Sequence, residues 1–229
     1  MTQSLKLISS MAMREALAEL TTRFERTTGR IVQREAAGGV DVAKRVQSGE
    51  LLDVVVLSSS AIDKLIAEGH ALAGSRQDLV RSGVAVAVPA GSAKPDISDE
   101  AAVRRAVLAA RTLSYSTGPS GVYLEKLFER WGILAQIRAR IVVPPPGTPV
   151  GSLIADGEAQ LGFQQLSELI NVEGIEVVGP LPESIQTLTV FSGGIASRSA
   201  QVAQARELLE FLASPLNADV KRRYGMEPA

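Results

Sequence analysis

The stretch "DVVVLSSSAIDKLIAEG", residues 53–69, predicts the fold class. Its continuous apolar segment, Val54 to Leu57, is typical of a strand that is buried on both faces of a parallel sheet. Three serines follow, and "AIDKLIAEG" then has the pattern of a helix that ends at Gly69. A buried strand that passes through a short polar turn into a helix is half of a βαβ unit.

The neighbouring segments repeat this order. "LKLI" is a short strand, and the apolar positions Leu17, Leu20 and Phe24 predict a helix from about Ala12 to near Gly29. "IVQREA" is predicted as a strand, "GGV" as a turn, "DVAKRVQSG" as a helix and "GVAVAVP" as another buried strand. This βαβαβ pattern predicts a mostly parallel sheet with helices on both faces.

The second half of the chain continues the alternation after a Pro- and Gly-containing loop. Helices are predicted at "AAVRRAVLAA", "VYLEKLFERWG", "VGSLIADG", "SELINV" and "AQVAQARELLEFLAS", and strands at "TLSYS", "ARIVV", "AQLGFQQ", "GIEVVGPLP" and "TLTVFSGGIA". The break "PPPGTP" separates "ARIVV" from the next helix, and the breaks near Pro89 and Pro182 suit crossovers between two lobes. We therefore predict an α/β protein whose first lobe is discontinuous, residues 1–86 and 188–229, with residues 87–187 as the second lobe.

Composition limits the function classes. The 229 residues carry a net charge of −1, so the chain has no broad basic surface for nucleic acid. The absence of Cys excludes disulfides, thiolate metal sites and Cys nucleophiles, and neither a metal nor a cofactor is expected. No apolar run of about 18 residues occurs, so membrane insertion is not expected, and we expect a monomer.

The N-terminal segment "MTQSLKLISS" has neither a basic region nor an apolar core of the kind that export signals contain. The sequence as written therefore predicts a cytoplasmic protein. A periplasmic location is the alternative if a signal peptide has been removed.

Small polar residues gather in the turns that follow the predicted parallel strands. In open α/β sheets, ligands bind at the carboxyl ends of the strands, and helix starts there offer unpaired N–H groups to anions. Ordinary helix capping is the alternative role for each of these residues. The candidate anion contacts are Ser9, Ser10, Met11, Gly38, Gly39, Ser58 and Ser59 in the first half, and Ser116, Thr117, Gly118 and Ser120 in the second.

Three further side chains complete the candidate site. Gln164 and Gln165 carry amide donors and acceptors at the end of "AQLGFQQ". Arg81 could supply a bidentate guanidinium contact to a carboxylate, although a surface salt bridge is the ordinary role of such a residue.

The order of these segments resembles that of the molybdate-binding receptors of ABC transporters, a branch of the type II periplasmic-binding-protein fold. The resemblance spans nearly the whole chain and is carried by "LKLISSMAMREALAELTTRFERTTG", "GGVDVAKRVQSGELLDVVVLSSSAIDKLIAEG", "GVAVAVPAGS", "VGSLIADGEAQLGFQQLSELI" and "LLEFLASPLNADVKRRYG". It implies two lobes that close on a ligand in a cleft between them, and an ABC permease as partner if the protein is exported.

Three positions depart from the molybdate pattern that the resemblance implies. Ala12 and Gly39 stand where hydroxyl ligands are expected, and Gln165 stands where a Tyr is expected. A dehydrated dianion that lacks several donors is held poorly. A molybdate or tungstate receptor is therefore the least favoured of the functions that this resemblance suggests.

A solute-binding protein for a small organic anion, a di- or tricarboxylate, is the first hypothesis for function. The alternative is an enzyme, because aconitate isomerase, which moves a proton and a double bond in a tricarboxylate, is similar to the same branch. Such an isomerase needs a base, for which Tyr115 and Glu168 are candidates. Their ordinary roles would be half-buried packing for Tyr115 and helix capping for Glu168.

Overall fold

The computed structural model describes residues 4–145 and 147–229. Met1–Gln3 and Pro146 of the proline-rich break lie outside the described residues. The strands are β1 (Leu5–Ser10), β2 (Val32–Ala37), β3 (Val54–Ser58), β4 (Gln77–Pro89), β5 (Leu113–Tyr115), β6 (Leu161–Gln165), β7 (Ile175–Pro180), β8 (Leu188–Ile195) and β9 (Glu227–Pro228). The helices are α1 (Arg14–Thr28), α2 (Gly39–Gln47), α3 (Ser59–Ala67), α4 (Glu100–Ala109), α5 (Pro119–Arg130), α6 (Leu134–Ile137), α7 (Val150–Ala155), α8 (Leu166–Leu169), α9 (Val202–Ala213) and α10 (Ala218–Arg223).

The chain divides into two compact units. The first contains Met1–Ser82 and Thr189–Ala229, and the second contains Gly83–Leu188. Both boundaries fall inside strands, one within β4 and the other within β8. These long strands therefore connect the two units.

The first unit is a sheet with strand order β2-β1-β3-β8-β4. β1 pairs in parallel with β2 and β3, as the βαβ pattern predicts, whereas β8 pairs with β3 in the antiparallel direction. One face of the sheet packs on α1 and α9 through residues such as Leu17 and Leu208, and the other packs on α2 and α3 through Val42 and Ile62. Burying each such side chain contributes about 1.5–3 kcal/mol to stability.

The second unit combines the parallel pair β5–β6 with antiparallel pairs that β4 makes with β6 and β7. One face packs on α4 and α5 through residues such as Val103 and Phe128, and the other on α7 and α8 through Ile154 and Leu169. Gly162 of β6 makes this close packing possible, because a Cβ there would lie 2.3 Å from the Cδ1 atom of Ile154.

Several local predictions need correction. "GVAVAVP" belongs to the 13-residue strand β4, which pairs antiparallel with β6, β7 and β9 and does not extend the parallel set. "ARIVV" makes only an isolated bridge at Ile141, because the adjoining residues 138–140 form a 3-10 turn and prolines follow. The "GGV" turn is shorter than predicted, since α2 already begins at Gly39.

Within the described ranges, no helix combines the length and the apolar character that crossing a membrane requires.

Candidate functional site

Three turns of the first unit meet at one edge of its sheet. Ser10 is in register with Ala37 across the parallel β1–β2 pair, and Ser9 is in register with Val56 of β3. The carboxyl ends of the three strands, and the starts of α2 and α3, therefore lie side by side. We call this group, Ser10, Gly38, Gly39, Ser58 and Ser59, the first cluster.

Strand alternation separates the two serines of β1. Ser9 is on the sheet face of Leu7, toward α1 and α9, whereas Ser10 is on the face of Ile8, toward α2 and α3. Both are almost completely buried. The Oγ atom of Ser10 has no hydrogen-bond partner among the described residues, which makes it a candidate ligand contact.

The segment after Ser10 turns inward. Met11–Met13 forms a 3-10 turn, in which the Met11 side chain is partly exposed and Ala12 packs in the core with Leu17. Ala12 therefore contributes no polar group to the cluster, in agreement with the departure noted in the sequence.

The start of α2 has both an open position and a negative charge. A Cβ on Gly39 would lie 3.7 Å from Leu57 and 4.0 Å from the Cβ of Ser10, so the site has room for a small side chain there. The Oδ2 atom of Asp41 lies 3.3 Å from the corresponding Cβ position of Gly38. This carboxylate already faces the helix start and would repel an anion bound there.

The serines of the third turn are partly exposed at Ser58 and Ser59 and exposed at Ser60. Ser58 ends β3, and its Oγ atom lies 3.4 Å from that of Ser60, while Ser59 begins α3. The nine-residue helix α3 directs its first N–H groups toward the same edge.

Arg81 lies apart from these turns. It is an exposed residue of β4, in register with Glu227 of β9, and β8 separates β4 from β3. Its role as a carboxylate clamp stays a prediction.

Two turns of the second unit form a second cluster. Tyr115 of β5 is in register with Phe163 of β6, so the carboxyl ends of these parallel strands are adjacent. We call the following residues the second cluster: Tyr115, Ser116, Thr117, Gly118, Ser120, Gln164, Gln165, Ser167 and Glu168.

The β5–α5 turn is held by its own hydroxyls. The Oγ atom of Ser116 lies 3.0 Å from that of Ser120 and accepts a hydrogen bond of 3.3 Å from the Gly118 N–H. Ser120 is buried, whereas Thr117 is exposed. The Ser116 and Ser120 hydroxyls thus have a structural role in addition to any contact with a ligand.

Gly121 is required by this turn. A Cβ at this position would lie 1.5 Å from the carbonyl oxygen of Ser116, closer than any non-bonded contact allows. Among the described residues, a Cβ on Gly118 would come within 4 Å only of the Ser116 Oγ atom, at 3.6 Å. The two glycines therefore differ: Gly121 permits the close backbone approach, and Gly118 does not need to be glycine for steric reasons.

The β6–α8 turn contains two side chains that are joined by a hydrogen bond. The Nε2 atom of Gln164 donates a hydrogen bond of 2.8 Å to the Oε1 atom of Glu168. The Oε1 atom of Gln164 and the Oγ atom of Ser167 are buried and have no partner among residues 4–145 and 147–229. Buried polar atoms without partners each cost roughly 1–3 kcal/mol, so the Ser167 hydroxyl is a candidate ligand donor and the Gln164 oxygen a candidate acceptor.

Tyr115 and Gln164 lie on opposite faces of the second sheet. The Tyr115 ring packs edge-on against Phe128, with 5.8 Å between the ring centroids, on the α5 side. Gln164 pairs with Ala85, which faces α7. Burial raises the pKa of Tyr115, with a further increase from Glu125. Its hydroxyl therefore stays protonated at neutral pH and fits a hydrogen-bond donor better than a base.

Ser167 and Asp41 were not singled out by the sequence. Ser167 stands two residues after Gln165, at the start of α8, and a hydroxyl in a strand-to-helix turn is the signal that selected the other serines. Asp41 stands in the first turn of α2, where acidic residues ordinarily stabilise a helix. In the ranges that the structure describes, no three His, Asp or Glu side chains are grouped to hold a metal ion.

The two α/β units, connected by β4 and β8, have the fold of the two-lobed periplasmic solute-binding proteins. The chain matches the family model of bacterial extracellular solute-binding proteins over residues 5–227, and it belongs to that family. The resemblance that the sequence suggested is thereby confirmed.

Two curated relatives of the chain have different functions. An aconitate isomerase from Pseudomonas sp. is 38% identical over 233 residues, which cover 98% of this chain and 88% of the relative. The molybdate-binding protein ModA of Azotobacter vinelandii is 24% identical over 219 residues, which cover 91% of this chain and 84% of the relative.

Solved structures agree on the fold. The periplasmic molybdate-binding protein of Azotobacter vinelandii superposes with a TM-score of 0.81 at 23% identity, covering 97% of this chain and 98% of that one. PEB3 bound to L-phospholactate superposes with a TM-score of 0.74 at 13% identity, covering 99% and 100% of the two chains. At these identities the likeness concerns the fold alone.

Proposed function

We propose that this protein binds a tricarboxylate and interconverts the isomers of aconitate by moving one proton and one double bond. The observation that carries the proposal is the 38% identity to an aconitate isomerase along 98% of the chain. The identity to the molybdate-binding relative is 24%, over a smaller share of the chain.

The chemistry of the two clusters supports an organic anion. Hydroxyls, an amide and helix-start N–H groups are donors that suit carboxylate oxygens. The buried hydroxyls of Ser10 and Ser167, which have no partner in the described residues, leave a donor for a carboxylate in each unit. That both clusters contact one ligand stays a prediction, as does the role of each residue.

The Gly39 and Ala12 positions favour a ligand larger than molybdate. Gly39 leaves space beside Ser10, and the buried Ala12 offers no donor. A compact tetrahedral dianion would lose contacts at both positions, whereas an extended tricarboxylate can occupy the space and place its carboxylates on separate groups of donors.

Capture without turnover is the second candidate. The family's description as extracellular solute-binding proteins favours it, and a partner permease of an ABC transporter belongs to this alternative. In that case the same clusters would hold a di- or tricarboxylate for delivery.

A thermal-shift panel tests the ligand class. The purified protein is heated with cis- and trans-aconitate, other di- and tricarboxylates, molybdate, tungstate and sulfate. A ligand at one hundred times its Kd adds about 2.7 kcal/mol to stability, which raises Tm measurably. We expect the tricarboxylates to stabilise, and stabilisation by molybdate or tungstate alone would contradict the proposal. Product analysis then separates enzyme from receptor.

A further inference from the structure

We infer that Glu168 carries the proton in the isomerisation and that Gln164 is its positioning residue. This inference rests on the proposed function. It starts from the 2.8 Å hydrogen bond that the Nε2 atom of Gln164 donates to the Oε1 atom of Glu168.

The hydrogen bond fixes the orientation of both side chains. A carboxylate accepts hydrogen bonds, so the NH₂ group of Gln164 must face Glu168 and its amide oxygen must point elsewhere. Gln164 is 3% exposed, and its location on β6 against α7 and α8 leaves little freedom for another rotamer. Glu168 is therefore held by a rigid strand residue, although it stands in the short helix α8.

The free atoms of this turn indicate where a ligand would contact it. The amide oxygen of Gln164 and the Oγ atom of Ser167 are both buried without a partner in the described parts of the chain. Both residues precede Glu168 in the sequence, and all three belong to one strand-to-helix turn. The Ser167 hydroxyl can donate a hydrogen bond to a ligand carboxylate at this turn, which would bring the carbon skeleton of the ligand next to the Glu168 carboxylate.

A single carboxylate at this position can carry out both proton transfers of the isomerisation. Glu168 takes a proton from the methylene carbon of aconitate, and the C–H electron pair delocalises over the three-carbon allylic unit and its carboxylates. The protonated Glu168 then gives the proton to the carbon at the other end of that unit. The double bond has moved by one position, the base is regenerated, and no oxidant or second reactant is needed.

Gln164 supports this cycle through its donated N–H. A hydrogen bond to a carboxylate stabilises the ionised form, which is the form that must accept the proton. Removing the donor should therefore move the acidic limb of the rate profile to higher pH. Tyr115 is the less suitable base, since its ring lies on the opposite sheet face, against Phe128.

The first experiment compares Glu168→Gln with wild type and with the matched control Glu173→Gln, an exposed residue beyond α8. Aconitate isomerisation is followed by NMR, and tricarboxylate binding by thermal shift. We expect E168Q to lose at least about 10²-fold in kcat, to stop incorporating solvent deuterium, and to keep ligand-induced stabilisation, while E173Q matches wild type. An E168Q variant whose kcat is within threefold of the wild-type value overturns the inference.

The second experiment tests positioning with Gln164→Met, which keeps the volume of the side chain and removes its amide. We expect a lower kcat and an acidic limb of the pH profile at higher pH, with binding retained. An unchanged pH profile in an active Q164M overturns the role of Gln164. If the wild-type protein binds a tricarboxylate without converting it, the proposed function is wrong, and the proton transfer by Glu168 is wrong with it. This result comes from the wild-type protein alone and needs no variant.

Discussion

At the scale of single residues, the structure distinguishes positions that look alike in the sequence. Ser9 and Ser10 are adjacent serines, but strand alternation turns them to opposite faces of the sheet. Gly118 ends the turn after β5 and Gly121 stands in the first turn of α5, yet of the two only Gly121 lies against a carbonyl. The sequence pattern could locate these turns, but the direction of each side chain depends on the register of the strands.

The glycine pair gives a direct prediction. Gly121→Ala should lower the free energy of unfolding by about 3 kcal/mol and weaken tricarboxylate binding, because the new Cβ would collide with the Ser116 carbonyl oxygen. The matched control, Gly118→Ala, should change stability by less than about 1 kcal/mol, since its Cβ meets only ordinary contacts. Urea denaturation of both variants checks this, and equal stability of the two would contradict the described turn.

Asp41 gives a prediction on affinity. Asp41→Asn removes a negative charge beside the start of α2 and should tighten anion binding by about two- to fivefold at low salt. The gain should shrink as ionic strength rises, because salt screens an exposed charge. Isothermal titration at two salt concentrations measures the effect, and an affinity of D41N equal to that of wild type at low salt would place the anion elsewhere.

At the scale of helices and strands, the βαβ pattern was the informative part of the sequence. The parallel pairs β1–β2, β1–β3 and β5–β6 follow from buried strands that alternate with helices. The antiparallel pairs of β4 and β8 could not be deduced in this way, because strand direction depends on which distant segments meet. The short elements α10 and β9 carry too few residues to show a period.

A buried carboxylate connects the starts of several elements. Asp53 accepts hydrogen bonds from the Lys6 N–H at 2.9 Å, the Ser199 hydroxyl at 2.6 Å and the Gln201 amide at 3.3 Å. Asp53→Ala should cost roughly 3 kcal/mol of stability, because it leaves these donors unpaired. Asp63→Ala, which removes an exposed partner of Arg76, should cost less than about 1 kcal/mol. Similar losses for both variants in urea denaturation would show that Asp53 does not have this role.

Lys221 gives a prediction on pH dependence. Its side chain is fully buried on α10, its Nζ atom donates a 3.3 Å hydrogen bond to the Ala213 carbonyl, and burial lowers its pKa from the ordinary 10.5. The folded state therefore releases this proton at lower pH than the unfolded state does. Wild type should gain stability relative to Lys221→Met as pH rises from the folded-state pKa toward 10.5. Chemical denaturation of both proteins across alkaline pH tests the sign, and a constant difference would contradict it.

At the scale of the whole molecule, the family is established and the ligand is the open question. The match over residues 5–227 confirms the resemblance that the segment order suggested. The candidate site could be predicted as a set of turns, because the carboxyl ends of parallel strands are recognisable in a sequence. The hydrogen bond between Gln164 and Glu168 could not be predicted from the sequence, since it depends on the rotamers of two side chains in one turn.

The proposed isomerisation is tested most directly by ¹H NMR of the wild-type protein incubated separately with cis-aconitate and with trans-aconitate. Each isomer has a distinct vinyl proton signal, so conversion is read without a coupled enzyme. We predict that both samples approach the same mixture of isomers, and that deuterium enters the substrate in D₂O. Ligand that stays unchanged in both samples, while it still raises the Tm of the protein, would contradict the isomerase and identify a carboxylate receptor.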